Sequence, residues 1–283
     1  MRGAFALLIA AALAAIGLAG CGGSENLAEG LSPQAAVAEA ATKTAEAGSA
    51  RVSFTGTMEG VPGGPFTFTG EGEFSDRQGR MTFDMSDLGA AAGGAFGGEM
   101  EMVMDGLLIY MKFPPDIASQ LPGGKQWLRI DLAAAGDELG IDFEELMQFQ
   151  QTDPTQTLQY LRGASEDFEE VGSEEVRGVE TTHYRGTVDL RKALEQIPAE
   201  SREGFERVLE LVGETRMPFE VWIDDDGLAR RMKYEQPLPA GQGSQDASMG
   251  LTMEMYDFGT EVDVEPPPAN EVVDLQELIG QGG

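Results

Sequence analysis

The chain has 283 residues, one cysteine and one histidine, and its 49 acidic residues outnumber 19 basic ones to leave a formal charge of −30. A surface so negative repels nucleic acid and anionic headgroups. A single thiol allows no disulfide within the chain, and one cysteine with one histidine excludes the usual Cys/His zinc sites.

The chain opens Met1-Arg2-Gly3 and runs apolar from Ala4 to Leu18. A positive start before a short apolar stretch is the layout of a secretory signal, and this stretch falls short of the roughly 18 residues of a membrane-spanning helix. It ends Leu18-Ala19-Gly20-Cys21, where small residues let the backbone lie flat in a peptidase groove. The quartet resembles the lipobox of bacterial lipoproteins, with Cys21 at the modified position. The resemblance implies a diacylglyceryl group on the Cys21 sulfur, and two acyl chains hold a protein stably at a bilayer where one does not. The bland alternative is a plain signal with an accidental cysteine. The expected layout is a signal peptide over 1–20, a lipidated flexible linker over 21–31, one domain over 32–265, and a proline-rich segment with a tail over 266–283.

The first expected element is a helix. Ser32 caps it, Pro33 suits its first turn, and Gly48 ends it. Ala36, Val37, Ala40, Ala41, Thr44 and Ala45 form one narrow face of small side chains. Period-two patterns follow. Val52, Phe54, Gly56 and Met58 alternate with polar residues, as do Phe66, Phe68, Gly70, Gly72 and Phe74. Met81, Phe83 and Met85 come next, then Met100, Met102 and Met104. After the hairpin signal Asp105-Gly106, Leu107, Ile109, Met111 and Phe113 continue the pattern. Lys125 to Asp131 makes another strand.

Helical patterns interrupt the strands. Phe143, Leu146, Met147 and Gln150 share a face, Asp153-Pro154 starts a second helix, and Pro198 opens a third with Phe205, Val208, Leu209 and Val212 in phase. Val179 to Val188 reads as strand. Met217, Phe219, Val221 and Ile223 lead into the turn Asp224-Asp225-Asp226-Gly227, and Leu228, Met232 and Tyr234 return. Met249, Leu251, Met253 and Met255 form the last strand. Residues 89–98 and 241–247 read as loops, and Pro266-Pro267-Pro268 ends regular structure.

Many alternating strands with a few helices indicate an α+β domain, a strongly curved antiparallel sheet covered by helices, one face wet and one covered. Gly56, Gly70 and Gly72 fall on the covered face and mark bends or points where something approaches the backbone closely. Methionine is flexible and polarizable and is over-used on surfaces that accept variable apolar partners. A concave sheet lined with Met and Phe suits an acyl chain, which needs soft contacts and few hydrogen bonds. The candidate lining residues are Phe54, Met58, Phe68, Met102, Met104, Ile109, Met111, Phe219, Val221, Met253 and Met255. The competing reading is that they are simply core.

No catalytic constellation emerges. His183 lies in phase with the polar side of its strand and reads as a solvated histidine, and no G-x-S-x-G elbow accompanies it. Asp224-Asp225-Asp226-Gly227 does not match the EF-hand ladder and reads as a hairpin turn. Glu166 to Glu175 reads as a solvated acidic run. Trp127 and Trp222 sit either at a cavity rim or in an ordinary groove. Neither a cofactor nor a metal is called for.

The signal, Cys21, the short helix and the strand Ser49-Ala50-Arg51-Val52-Ser53-Phe54 together resemble the LppX/LprG-type lipoproteins of actinobacteria, which share the LolA/LolB-like fold. Asp105-Gly106-Leu107-Leu108-Ile109-Tyr110-Met111-Lys112, Gly124-Lys125-Gln126-Trp127-Leu128, Val179-Glu180-Thr181-Thr182-His183-Tyr184 and Pro218-Phe219-Glu220-Val221-Trp222-Ile223-Asp224 have the same flavour. The resemblance implies a half-barrel closed by helices over an apolar cavity, no catalytic motif, and binding or transfer of a lipid at the extracytoplasmic face of the cell membrane. The alternative is an envelope interaction or sensory lipoprotein with a filled core and a protein partner.

Overall fold

A computed structural model provides the fold. It describes residues 31–61, 64–75, 77–87, 98–139, 165–194, 202–203, 206, 209, 215–238 and 247–280. The expected signal, Cys21, most of the linker, and nearly all of the expected helices at 143–150, 153–161 and 198–212 lie outside the described residues, as do the loops at 89–98 and 241–247 except Gly98 and Ala247.

Helix α1 (Pro33–Glu46) begins as its sequence requires. The Ser32 hydroxyl accepts a hydrogen bond from the Ala35 N–H at 3.3 Å, and Pro33 occupies the first turn, where its missing N–H costs nothing. Twelve strands follow, namely β1 (Ser49–Glu59), β2 (Phe66–Ser75), β3 (Gln78–Asp84), β4 (Glu99–Asp105), β5 (Leu108–Lys112), β6 (Trp127–Asp131), β7 (Ser165–Val176), β8 (Val179–Asp189), β9 (Arg216–Asp224), β10 (Ala229–Pro237), β11 (Ser248–Tyr256) and β12 (Val272–Asp274). They build one sheet in the order β12-β6-β5-β4-β3-β2-β1-β11-β10-β9-β8-β7.

Three features differ from the expectation. The sheet is mixed, because β12 pairs with β6 in parallel while the other pairs are antiparallel. The segment after the three prolines is not a loose tail, since β12 joins the sheet and Val273 is buried among Ile109, Met111, Leu128 and Ile130. A run as short as Val272–Asp274 carries too little periodicity to be read from sequence. Helical cover is sparse among the described residues. Beyond α1, the described helices are α2 (Pro115–Ala118), α3 (Leu132–Leu139), α4 (Leu190–Leu194) and α5 (Leu275–Gly280), with further helical residues at 86–87, 202–203, 206 and 209. The acidic run at 166–175 is solvated as expected, with Asp167 and residues 169–175 exposed; it lies in β7, at one end of the sheet, anchored by buried Phe168 and Val176.

The sheet is strongly curled. Arg177, in the turn between β7 and β8, donates to Glu254 of β11 at 2.7 Å and to the Ser53 hydroxyl of β1, and its guanidinium lies 4.1 Å from the centre of the Tyr256 ring. Two strands separate β8 from β11, so a flat sheet would hold them roughly 14 Å apart. No arginine spans that gap while also reaching β1. The β7–β8 hairpin therefore folds over the hydrophilic face.

Candidate functional site

The register decides which side chains share a face. One row of partners crosses eight strands, from Met255 through Val52, Gly72, Met81, Met102, Met111 and Leu128 to Val273. A second row joins Val221, Met232, Met253, Phe54, Gly70, Phe83 and Met100. Phe219, Tyr234, Leu251, Gly56 and Phe68 form a third, and Met104 pairs with Ile109. Met58 pairs with Met249 and Phe66. Directly opposed residues point to the same side, so all eleven candidates occupy one face. Met81, Met100, Met232, Met249 and Phe83 belong to that face as well. Alternation marked them as apolar, but only strand pairing sets them beside the eleven.

Packing divides this face. Under α1, Ala36, Val37 and Ala40 cover Val52, Val221, Ile223, Ala229 and Met255, and Val221 and Met255 are buried among the chain's own side chains. At the other half, Ile109 and Met111 are buried, with Met102 and Met104 packed against them but half-buried. Met58 packs against Leu238, Ala247 and Met249. Six of the eleven, Met58, Phe68, Met102, Met104, Phe219 and Met253, keep part of their surface uncovered.

The glycines on this face have a specific occupant. A Cβ on Gly56 would fall 1.9 Å from the tip of the Phe68 ring, and one on Gly70 would fall 2.1 Å from the Phe54 ring. Gly56 and Phe68 are direct cross-strand partners, as are Phe54 and Gly70. Each ring thus sits against the bare backbone of the opposite strand. What approaches these backbones closely is the protein's own phenylalanines, and Phe54 in turn stacks at a tilt on Phe83, with ring centres 4.9 Å apart.

The opposite face is polar and crosslinked. His183 is not solvated, as its strand phase suggests, but buried. It stacks on Trp222 with ring centres 4.1 Å apart and is bonded through Nε2 to Glu220 at 2.8 Å. A carboxylate only accepts, so Nε2 carries the proton. The burial comes from the folded-over hairpin. Glu174 of β7 accepts from the Trp222 indole and from Arg231, and Arg231 also donates twice to Glu254. The bonds from Arg231 and Trp222 hold the Glu174 carboxyl below its usual value. Burial alone would raise Glu220, but Lys233, His183 and Arg185 keep it low. Trp127 is on this side too, in a cluster with Val103, Tyr110 and Val264. Both tryptophans therefore fill ordinary outer-face packing. A groove of about 490 Å3 also opens here, lined mainly by Ser53, Thr55, Thr69, Glu71, Thr82, Asp84, Glu99, Thr252 and Glu254. Its lining is mostly hydrophilic and belongs to the polar face, though Phe54, Gly70 and Phe83 also border it, so Phe54 is the one of the eleven candidates that it reaches.

Tyr234 stands on the apolar face, beside Leu238 and Met249, and burial pushes its hydroxyl from 10.0 up to about 12. The folded state favours the neutral phenol, so this contribution to stability is complete below pH 10 and is lost as pH rises toward 12. The expected loss is up to about 2 kcal/mol. Denaturant midpoints at the two ends of that window measure it, and Tyr234→Phe should lose less over the same window. An equal loss in the variant would show that another group is responsible.

No protein-family model matches the chain. It is 36% identical over 167 residues to a 31.2 kDa Streptomyces griseus protein of the rplA–rplJ intergenic region, covering 57% of this chain and 52% of that one. It is 27% identical over 177 residues to a Streptomyces coelicolor protein named "Putative lipoprotein", covering 62% and 50%. The chain thus spans about half the length of the curated relatives it matches. Among solved structures, the Mycobacterium tuberculosis lipoprotein LppX aligns over 82% of this chain and 98% of its own, at 14% identity and a TM-score of 0.47. The chain is similar to these three proteins, one in structure and two in sequence.

Proposed function

We propose that this chain is an LppX/LprG-type lipoprotein, tethered through lipid on Cys21 at the extracytoplasmic face of the cell membrane, that binds a lipid acyl chain against the methionine- and phenylalanine-rich face of its sheet without catalysing a reaction. In this reading residues 1–20 are a signal, 21–31 a linker, and the sheet with α1 and further helices forms a half-barrel over the ligand.

The observation that carries the reading is the single face shared by all eleven candidates, six of them incompletely covered. Flexible thioethers and rings left partly open offer dispersion contacts without imposing a fixed shape. Each buried methylene contributes about 0.8 kcal/mol, so a long chain needs few polar anchors. The buried Val221 and Met255 favour the rival, a filled-core interaction lipoprotein, for the half of the sheet under α1. The lining is therefore narrowed to Phe68, Met102, Met104, Phe219, Met253 and Met58.

Native mass spectrometry of the purified chain, together with titration of a fluorescent fatty acid, tests the proposal. Saturable uptake is expected, weakened about tenfold or more by Met104→Glu, which sets a charge against the acyl chain, and unaffected by Thr55→Glu on the polar face. Absence of both co-purified lipid and uptake in the unaltered chain would sink the proposal and leave the filled core.

A further inference from the structure

Five methionines meet on the apolar face of β3, β4 and β5. Met102 stands at the centre, with Met81 and Met111 as its register partners on either side, their Cα atoms about 5 Å away. Met100 and Met104 sit two residues before and after it on the same side of β4, about 6.8 Å along the strand. Met111 is buried and the other four are half-buried. Gly72 and Gly79 flank the group in the same rows. A Cβ on Gly72 would lie 2.7 Å from the Met81 Cγ, and one on Gly79 would lie 3.0 Å from the Met104 Cε. Those two side chains rest against the bare backbone of the neighbouring strand.

Ordinary packing asks for shape, and leucine or isoleucine provides it with better-defined rotamers. Sulfur adds a soft, neutral donor. Thioethers do not serve hard cations, which take oxygen ligands, but they select Cu(I). Among the described residues no group of three His, Cys, Asp or Glu could hold a metal ion, so no harder site competes there.

We propose that Met81, Met102 and Met111, with Met100 and Met104 able to exchange into the shell, form a thioether site for a soft monovalent cation, Cu(I) or its analogue Ag(I). The inference does not rest on lipid binding, but Met102 and Met104 are shared with the proposed acyl-chain lining, so the cation and a lipid would compete there. Its donors are neutral, so binding releases no proton and is insensitive to pH, unlike a Cys/His site, whose ligands must be deprotonated.

The test uses the full chain with Cys21→Ser, which removes the sole thiol. Cu(I) is titrated anaerobically against a chromophoric chelator, and Ag(I) is followed by NMR of labelled methionine methyls. One equivalent should bind with sulfur-only coordination by X-ray absorption. The shifted methyls should be those of Met81, Met100, Met102, Met104 and Met111 out of 14 methionines. Met102→Leu, which nearly conserves volume, should weaken binding about tenfold or more, while Met217→Leu on β9 leaves it unchanged. Uptake that fails to saturate, that maps to other methyls, or that survives the combined Met81→Leu, Met102→Leu and Met111→Leu change overturns the site. Should Met102→Leu unsettle the fold, the methyl map of the chain with these methionines intact decides the matter alone.

Discussion

Replacing Asp224 with alanine is expected to lower the unfolding free energy by about 3 kcal/mol or more, the largest effect of any single polar substitution here. Asp224 ends β9 and is only 3% exposed. One carboxylate oxygen accepts the Leu228 N–H at 2.8 Å and so closes the β9–β10 turn, and the other pairs with Arg230. Arg230 is itself largely covered and lies against the Phe258 ring. Alanine would strand a guanidinium charge in a low-dielectric pocket and free a backbone donor, and each is costly. Asp224→Asn keeps an oxygen for Leu228 and should recover part of the loss. Urea denaturation of the three proteins decides it. A loss below about 1 kcal/mol for alanine would mean that water reaches Arg230 in the variant.

Gly70→Ala should cost about 2–3 kcal/mol, and Gly56→Ala clearly less. The contrast rests on what each new methyl meets. At Gly70 it would collide with the Phe54 ring and also with the Thr82 carbonyl oxygen at 2.3 Å, which belongs to the backbone of β3 and cannot swing away. At Gly56 the three nearest atoms all belong to the Phe68 ring, and that half-buried side chain can rotate out. Thermal unfolding of both variants should therefore separate them by several degrees. The Gly56 variant also probes function. Displacing Phe68 changes the space over the apolar face, so acyl-chain uptake should fall more than stability does. Equal destabilisation by the two changes would refute the assignment of Thr82 as the immovable neighbour.

Strand-by-strand alternation was legible because water faces one side of this sheet and side chains face the other. That rule identified the apolar set, while turn and capping chemistry marked the Asp105-Gly106 and Asp224–Gly227 turns and the start of α1. It misjudged His183 for a physical reason. Phase tells on which side of a strand a residue lies, and His183 does lie on the polar side. It cannot tell that the hairpin carrying His183 will fold back over that face and bury it. The same long-range fold turned the acidic run into β7 and gave Glu174 its partners Arg231 and Trp222. Glycines 56 and 70 were recognised as points of close approach, but nothing local names the phenylalanine of the next strand as the visitor.

The amino-acid order by itself determined an acidic composition and which residues shun water, because these follow from residue types and from neighbours a few positions apart. Only the tertiary structure decided which apolar residues stand together, which half of their face α1 covers, and that five methionines converge around Met102. Those outcomes depend on register and on the curl of twelve strands, contacts between residues as far apart as Ser49 and Thr260 whose relative placement no short stretch of sequence encodes.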